Sequence, residues 1–515
     1  MGLGTYEQFE KRLFAMKPNI YIGKECVGRD DPRMAAGFYC MKQTFDCLYD
    51  ERYRDVCTAT SHITGETINR FTHIHQTVED LLKKQEMTRL LSHRVGGCIQ
   101  RCMGIDAMNA LSVVTYEMDQ ACGTHFYDNF IEYMKYVQAN DIVANNAQTD
   151  VKGERLKRPF EQSNPDMYLR IVETDVDGIG LDGKPCKGII VRGAKSCNSA
   201  APYVDEIVAC PTKFMTKHDN AYAVAFALPA DWPGIKICAL PGLRHKRTHI
   251  DAPIAHVGDV ESLTIFDDVF VPNDRVFMNG LAYPETTPYA GFLAIMFAHF
   301  HRHSYTGCKP AASECLASSA ALVAEYNGIE KTSHAQDKIC HIIGIAELVY
   351  AAGVAAAYRA EKSPSGTMVP DEILTNAGRK LAGEEIYGEA RILADLAGGL
   401  IATLPLEENF YNEEVGELLS SYIMRDPSIP AENIHRCFRM IEDQIVSDFG
   451  AGQLVAGLHG GGSPQMETIA MMGGYDLEEL KGLAKYLAGI EPEIPIYRRK
   501  TVTPRRLLEK FKKMK

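Results

Sequence analysis

Tyr168-Leu-Arg-Ile-Val172 and Gly188-Ile-Ile-Val-Arg192 are the runs whose reading decides the fold class: short, rich in β-branched residues, and separated by the turn pairs Asp177-Gly178 and Asp182-Gly183. Two similar runs follow, Tyr222-Ala-Val-Ala-Phe226 and Leu263-Thr-Ile-Phe266, with Pro229 and Pro233-Gly234 between them. Such residues suit a pleated, half-buried surface, and glycine and proline punctuate it. The texture predicts an antiparallel β domain over 149–280. Working outward, the period changes to that of helices on both sides. Residues 77–136 contain no proline and space Leu81, Leu82, Leu90, Leu91 and Val95 at helical intervals, which predicts an N-terminal helical domain over 1–148. Alanine-rich segments at 311–326 and 345–362 predict a C-terminal bundle of long helices over 281–515.

Totals narrow the function classes. A chain of 515 residues with 46% hydrophobic and 24% charged content is long enough for two or three domains with a large core. Its net charge of -12 argues against a nucleic-acid partner, which needs a basic footprint. No N-terminal apolar segment and no spanning apolar run stand out, so neither a leader nor a membrane helix is expected. Fifteen cysteines without a disulfide-like framework predict reduced thiols and a cytoplasmic setting. From Arg498 to Lys515 there are nine Lys/Arg against Glu509 alone, and a run of that kind reads as a solvated tail.

Two small groups carry chemistry. Cys98 and Cys102 stand four apart, one face of a helix if the segment is helical. Two hundred residues on, about, the chain reads His301-Arg-His-Ser-Tyr305-Thr-Gly-Cys308-Lys309, with His301, Tyr305 and Cys308 at i, i+4 and i+7. A His/Tyr/Cys stripe is also what an ordinary core face looks like, and buried cysteines behave as small hydrophobes. Taken together the groups offer three thiolates and one imidazole, which suit an iron–sulfur cluster or a zinc ion. A single nitrogen ligand would leave one metal position unlike the others.

Further stretches extend the pattern: Thr67-Ile-Asn-Arg-Phe71, Val191-Arg-Gly-Ala-Lys195, Phe266-Asp-Asp-Val-Phe-Val-Pro-Asn-Asp-Arg275, Ala397-Gly-Gly-Leu400 and His459-Gly-Gly-Gly-Ser-Pro-Gln465. With the cysteine and histidine groups, the chain resembles the 4-hydroxybutyryl-CoA dehydratase branch of the 4-hydroxyphenylacetate 3-hydroxylase family over nearly its whole length. The resemblance implies an α+β, acyl-CoA dehydrogenase-like fold, FAD and a [4Fe-4S] cluster as cofactors, an acyl-CoA substrate and a homotetramer. It implies Cys98, Cys102, His301 and Cys308 as cluster ligands. It implies catalytic positions at His301, Tyr305, Lys309, Glu261 and Gln100. It sets the flavin against Gln148, Thr149, Asp150, Ser199, Met215 and Thr216, with Gly398 and Gly399 approaching its phosphates from a second subunit. Ala456 and Leu454 stand where that branch has a glutamate and an arginine, which leaves the substrate open. The implied reaction removes water from a hydroxyacyl-CoA, possible isomerisation of vinylacetyl-CoA included. General acid–base help of roughly 10²–10⁴-fold is too little for so weak a carbon acid, so one-electron chemistry is implied. Two alternatives remain: a flavin-dependent aromatic hydroxylase without a cluster, and a structural zinc site.

Overall fold

The computed structural model describes residues 3–242, 247–506, 508 and 509. Its strands fall where the β-branched runs lie. Arg170–Ile179, Pro185–Lys195 and Val260–Pro272 pair antiparallel with one another, and Ile235–Pro241 joins them. Asp177-Gly178, read as a turn, lies inside the first of these strands; the chain reverses at 180–184 instead. Gly178 is there because the Phe270 ring occupies the space a side chain would take.

The sheets depart from the expectation in a second way. The larger one has six strands because Ile20–Ile22 and Glu25–Val27, from the segment read as helical, complete its edge. Ile20–Ile22 runs parallel to Ile235–Pro241, with Ile20 opposite Ile237. In the four-stranded sheet Ala144–Ala147 runs parallel to Glu206–Ala209. The β region is therefore mixed, not purely antiparallel. Both parallel strands enter from the helical part through long connections, and parallel pairing requires such crossovers.

Five long helices form the rest of the framework around the site: Val78–Val95, Cys102–Cys122, Pro288–Tyr326, Ser333–Tyr358 and Glu372–Ala397. Pro288–Tyr326 runs among the other four and is buried on most of its circumference. A helix so enclosed loses amphipathic contrast, and its polar residues must find partners inside the protein. Within Ser333–Tyr358 an 18-residue window reaches a mean hydropathy of 1.8, so by length and composition alone this helix could cross a membrane. It packs on Pro288–Tyr326 and Glu372–Ala397, and its other face exposes Ile343, Leu348 and Tyr358.

The basic C-terminal segment is not a free tail in its described part. Arg499 donates to Asp371 at 2.9 Å, Arg505 pairs with Glu117 at 2.9 Å, and Arg506 pairs with Glu372 at 2.8 Å. All three acids are buried, and buried carboxylates need cationic partners. Residues 507 and 510–515 of that run lie outside the described residues.

Candidate active site

The turn that carries Cys98 begins where a helix must stop. Val78–Val95 is capped by Gly96 at φ +65°, a left-handed conformation glycine adopts freely. Cys98 is thus on a turn, not on a helix face, and Cys102 opens the next helix. Between them Gln100 sits at φ +60°, unusual for a residue with a side chain. Its amide nitrogen faces Cys98 Sγ at 3.4 Å, its side-chain nitrogen donates to the Gly258 carbonyl at 3.0 Å, and its side-chain oxygen accepts the Tyr203 hydroxyl. Both ends of the Gln100 amide are committed to the protein. From the opposite side the Cys98 N–H donates to Gln453 Oε1 at 3.0 Å.

His301, Tyr305, Cys308 and Lys309 are buried together on Pro288–Tyr326. This helix brings His301 Nδ1 to 3.9 Å from Cys102 Sγ, across 199 positions of sequence. Asp106 lies one turn beyond Cys102 and contacts the same Nδ1 at 2.8 Å. Cys102, Asp106 and His301 offer ligand atoms within 4.8 Å of one another, while Cys98 and Cys308 stand outside that compact set. A single tetrahedral zinc would hold its sulfurs about 3.8 Å apart, given a Zn–S bond of about 2.3 Å. A wider donor set suits a larger inorganic core.

The thiols form one electrostatic unit. Burial pushes Cys98 up to about 11, Cys308 up to about 12, and Cys102 well above the usual thiol range. Cys98 raises the other two further, and Lys309 opposes the rise at Cys98 and Cys308. Three neighbouring thiols, Cys102 and Cys308 buried and Cys98 partly so, resist ionisation by themselves, and bound metal reverses that by supplying positive charge. This donor set fits an iron–sulfur cluster.

Tyr305 stands edge-on to His301, ring centroids 5.1 Å apart, and its hydroxyl donates to the Ala456 carbonyl at 3.2 Å. Burial holds its pKa well above the usual phenol value, and Arg379 opposes that rise. The segment 459–462 closes over both rings. A Cβ at Gly460 would overlap the Tyr305 hydroxyl, and one at Gly461 would come within 3.3 Å of His301 Cδ2. Lys309 Nζ has no hydrogen-bond or ion-pair partner among the described residues, and burial lowers its pKa. Ala456 thus serves through its backbone, and Leu454 packs into the apolar cluster of the C-terminal helices.

Glu261, on the strand Val260–Pro272, accepts the Ser199 hydroxyl at 2.6 and 2.8 Å. Burial raises its pKa, Ser199 lowers it, and Asp259 adds to the rise. Glu261 also raises the pKa of Cys98 slightly, after the larger effects of burial and Asp259. Beyond it lie the positions expected at a flavin. Gln148 and Thr149 are half-buried, and their carbonyls accept Thr212 Oγ1 and the Ser196 N–H, each at 2.7 Å. The Asp150 carboxylate is a buried junction that binds Lys195 at 2.8 Å, the Leu169 N–H at 3.0 Å and the Thr212 hydroxyl. Met215 is buried, and Thr216 is exposed and bonded to Asp219 at 2.9 Å. Gly398 and Gly399 are not brought to these residues. They are exposed at the end of Glu372–Ala397, and nothing lies within 4 Å of a Cβ at either.

Asp106, Lys84 and Arg379 surround the site without any motif to mark them, and Ser304 lies inside the quoted 301–309 run without having been singled out. The one signal is the continuation of the four-residue step Cys98, Cys102, Asp106 into a buried apolar helix.

Comparison with known proteins adds three findings. Sequence profiles of the N-terminal and C-terminal parts of 4-hydroxyphenylacetate 3-hydroxylase match residues 5–278 and 290–489. The chain is 34% identical to the 4-hydroxybutyryl-CoA dehydratase/vinylacetyl-CoA-Delta-isomerase of Clostridium aminobutyricum, over 95% of this chain and 100% of that one. Among solved structures it is similar to an oxygen-tolerant archaeal 4-hydroxybutyryl-CoA dehydratase from N. maritimus, with a TM-score of 0.88, 33% identity and 99% of each chain covered. It is also similar to the oxygenase component of 4-hydroxyphenylacetate 3-monooxygenase complexed with FAD, with a TM-score of 0.81, 25% identity, and 95% of this chain and 100% of that one covered.

Proposed function

The chain belongs to the 4-hydroxyphenylacetate 3-hydroxylase family, and on that premise we propose that it is a hydro-lyase that dehydrates a hydroxyacyl-CoA, 4-hydroxybutyryl-CoA or a near relative, using FAD and a [4Fe-4S] cluster. The observation that carries this reading is the meeting of the partly buried Cys98 with the buried Cys102, Cys308 and His301, beside Tyr305 and Lys309. An aromatic hydroxylase has no use for that donor set, and a structural zinc site has no use for the tyrosine and lysine.

When bound, the flavin supplies a reversible one-electron oxidation and the cluster supplies a Lewis-acidic iron. The protein's own groups handle protons and orientation. Cys98, Cys102 and Cys308 would hold the cluster, with His301 as its exchangeable fourth ligand, and the His301 imidazole would serve as the base for the acidic α proton. Tyr305, kept protonated by burial, donates to the leaving hydroxyl. Lys309 lies where it offsets negative charge on the thiolates. Glu261 shuttles a proton or holds the substrate hydroxyl, and its raised pKa suits proton exchange. Gln100, with both side-chain ends occupied, contributes by shaping the turn between two ligands. Gln148, Thr149, Asp150, Ser199, Met215 and Thr216 would line the flavin. Asp150 would do so through its backbone, since its carboxylate is engaged.

A homotetramer fits the exposed apolar residues Ile343, Leu348, Tyr358 and Tyr387 on two adjacent helices. It would also let Gly398 and Gly399 reach a neighbour's flavin. The fifteen free cysteines, none in a disulfide among the described residues, fit the reducing cytoplasm.

Anaerobic purification with flavin and iron analysis, followed by an assay on 4-hydroxybutyryl-CoA, tests the reading. Flavin with about four irons per chain and formation of an enoyl-CoA are expected. Flavin without iron points to the hydroxylase reading and overturns this one, as does zinc without flavin.

A further inference from the structure

Asp106 is completely buried, and so is Lys84, its ion-pair partner. Charges removed from water are tolerated only when their bonding capacity is filled. For Asp106 it is. Oδ1 accepts Lys84 Nζ at 3.1 Å, Oδ2 meets His301 Nδ1 at 2.8 Å, and the Ser304 hydroxyl is shared by both oxygens at 2.9 Å. Lys84 also donates to the carbonyl of Phe300, the residue before His301, at 3.0 Å. The carboxylate is thereby tied to three helices, Val78–Val95, Cys102–Cys122 and Pro288–Tyr326, and has no freedom to swing.

An ionised carboxylate only accepts hydrogen bonds, so the proton in its contact with the ring belongs to Nδ1. That choice leaves the lone pair on Nε2, which has no hydrogen-bond partner among the described residues. We infer that Asp106 is a positioning residue for the metal centre: it fixes the Nδ1–H tautomer of His301, presents Nε2 as the ligand atom, and anchors the ring while the metal–nitrogen bond exchanges. The inference rests on the reading of His301 as a cluster ligand and says how that ligand is kept in place. Cys102 and Asp106, one turn apart on a rigid helix, then set a thiolate and the anchor of the imidazole as one unit.

Two variants test it. In Asp106→Asn, Lys84 retains the amide oxygen, so the amide N–H₂ faces His301 and drives the proton to Nε2. In Lys84→Met/Asp106→Leu, the buried charges go together, so no charge is stranded, and the acceptor is lost. Both are expected to hold flavin and to purify with about three irons rather than about four per chain, with the EPR signal of a three-iron cluster. Ser304→Ala, which leaves the Nδ1 contact in place, is expected to keep the full complement. Either folded variant with wild-type iron and spectrum overturns the inference. So does loss of flavin and fold in both, which would make Asp106 a structural junction only. Wild-type protein without iron sinks the cluster reading itself and is a separate outcome.

Discussion

Arg379 lies over the ring of Tyr305 with its guanidinium carbon 4.6 Å from the ring centroid, and the same group donates to the carbonyls of Leu458 and Gly460 at 3.1 and 2.8 Å. One cation thus couples the tyrosine beside the thiol site to the glycine segment that covers it. A planar guanidinium can stack and fork at once, and an ammonium cannot. Arg379→Lys is expected to lower activity by about 10–100-fold through misplacement of Tyr305, with iron and flavin retained. Steady-state kinetics beside metal analysis reads this, and unchanged turnover would refute it.

Gly460 faces the Tyr305 hydroxyl with no room for a methyl group. Gly460→Ala is expected to displace the ring and cost about 10²-fold in activity, again with full iron. A variant at wild-type rate would show that the hydroxyl position does not matter.

Cys308→Ala removes a thiol that is influenced by Cys98 and in turn influences Cys102. It is expected to lose most or all iron while keeping flavin and helix content. Full iron and full dehydration in purified Cys308→Ala would show the ligand assignment to be wrong.

Glu389 is buried against Ser313 at 2.8 Å, and burial raises its pKa from 4.5 to about 7, opposed by Ser313 and Lys309. The folded state therefore holds a proton that the unfolded chain releases at lower pH. Stability is lost as pH rises from 4.5 to about 7. Glu389→Gln removes that loss. It is expected to flatten the stability profile over this window and to gain on the order of 2–3 kcal/mol at pH 8. Denaturant melts at pH 5 and pH 8 decide it, and an equal gain at both would contradict the titration.

Asp371 is fully buried, caps the helix Glu372–Ala397 through the Leu374 N–H at 3.0 Å, and has Arg499 at 2.9 Å as its nearer counter-charge, with Arg359 at 4.0 Å. Arg499→Ala is expected to cost about 3 kcal/mol, measurable as a shifted urea midpoint. A change within error would return the basic segment to the role of a solvated tail.

Much of this protein is local and therefore legible in sequence. His301, Tyr305 and Cys308 share a helix face because side-chain direction follows from spacing once the helix is granted. The β-branched runs at 188–192 and 263–266 sit in strands for the same reason. Family membership was equally readable, since it rests on motifs spread along the chain. Other features were decided by tertiary structure alone. The Cys98–Cys102 step looks helical until Gly96 and Gln100 turn left-handed. Ile20–Ile22 becomes a strand because a sheet edge from 235–241 waits for it. The arginines at 499, 505 and 506 dock because buried acids far away in sequence require them. Asp106 and Lys84 look like any polar residues in their helices. Their meaning comes from His301, 195 positions beyond Asp106, across an interface that burial makes energetically strict. Period and propensity are properties of neighbours in the chain, whereas the pairing of a buried charge depends on what the fold brings beside it.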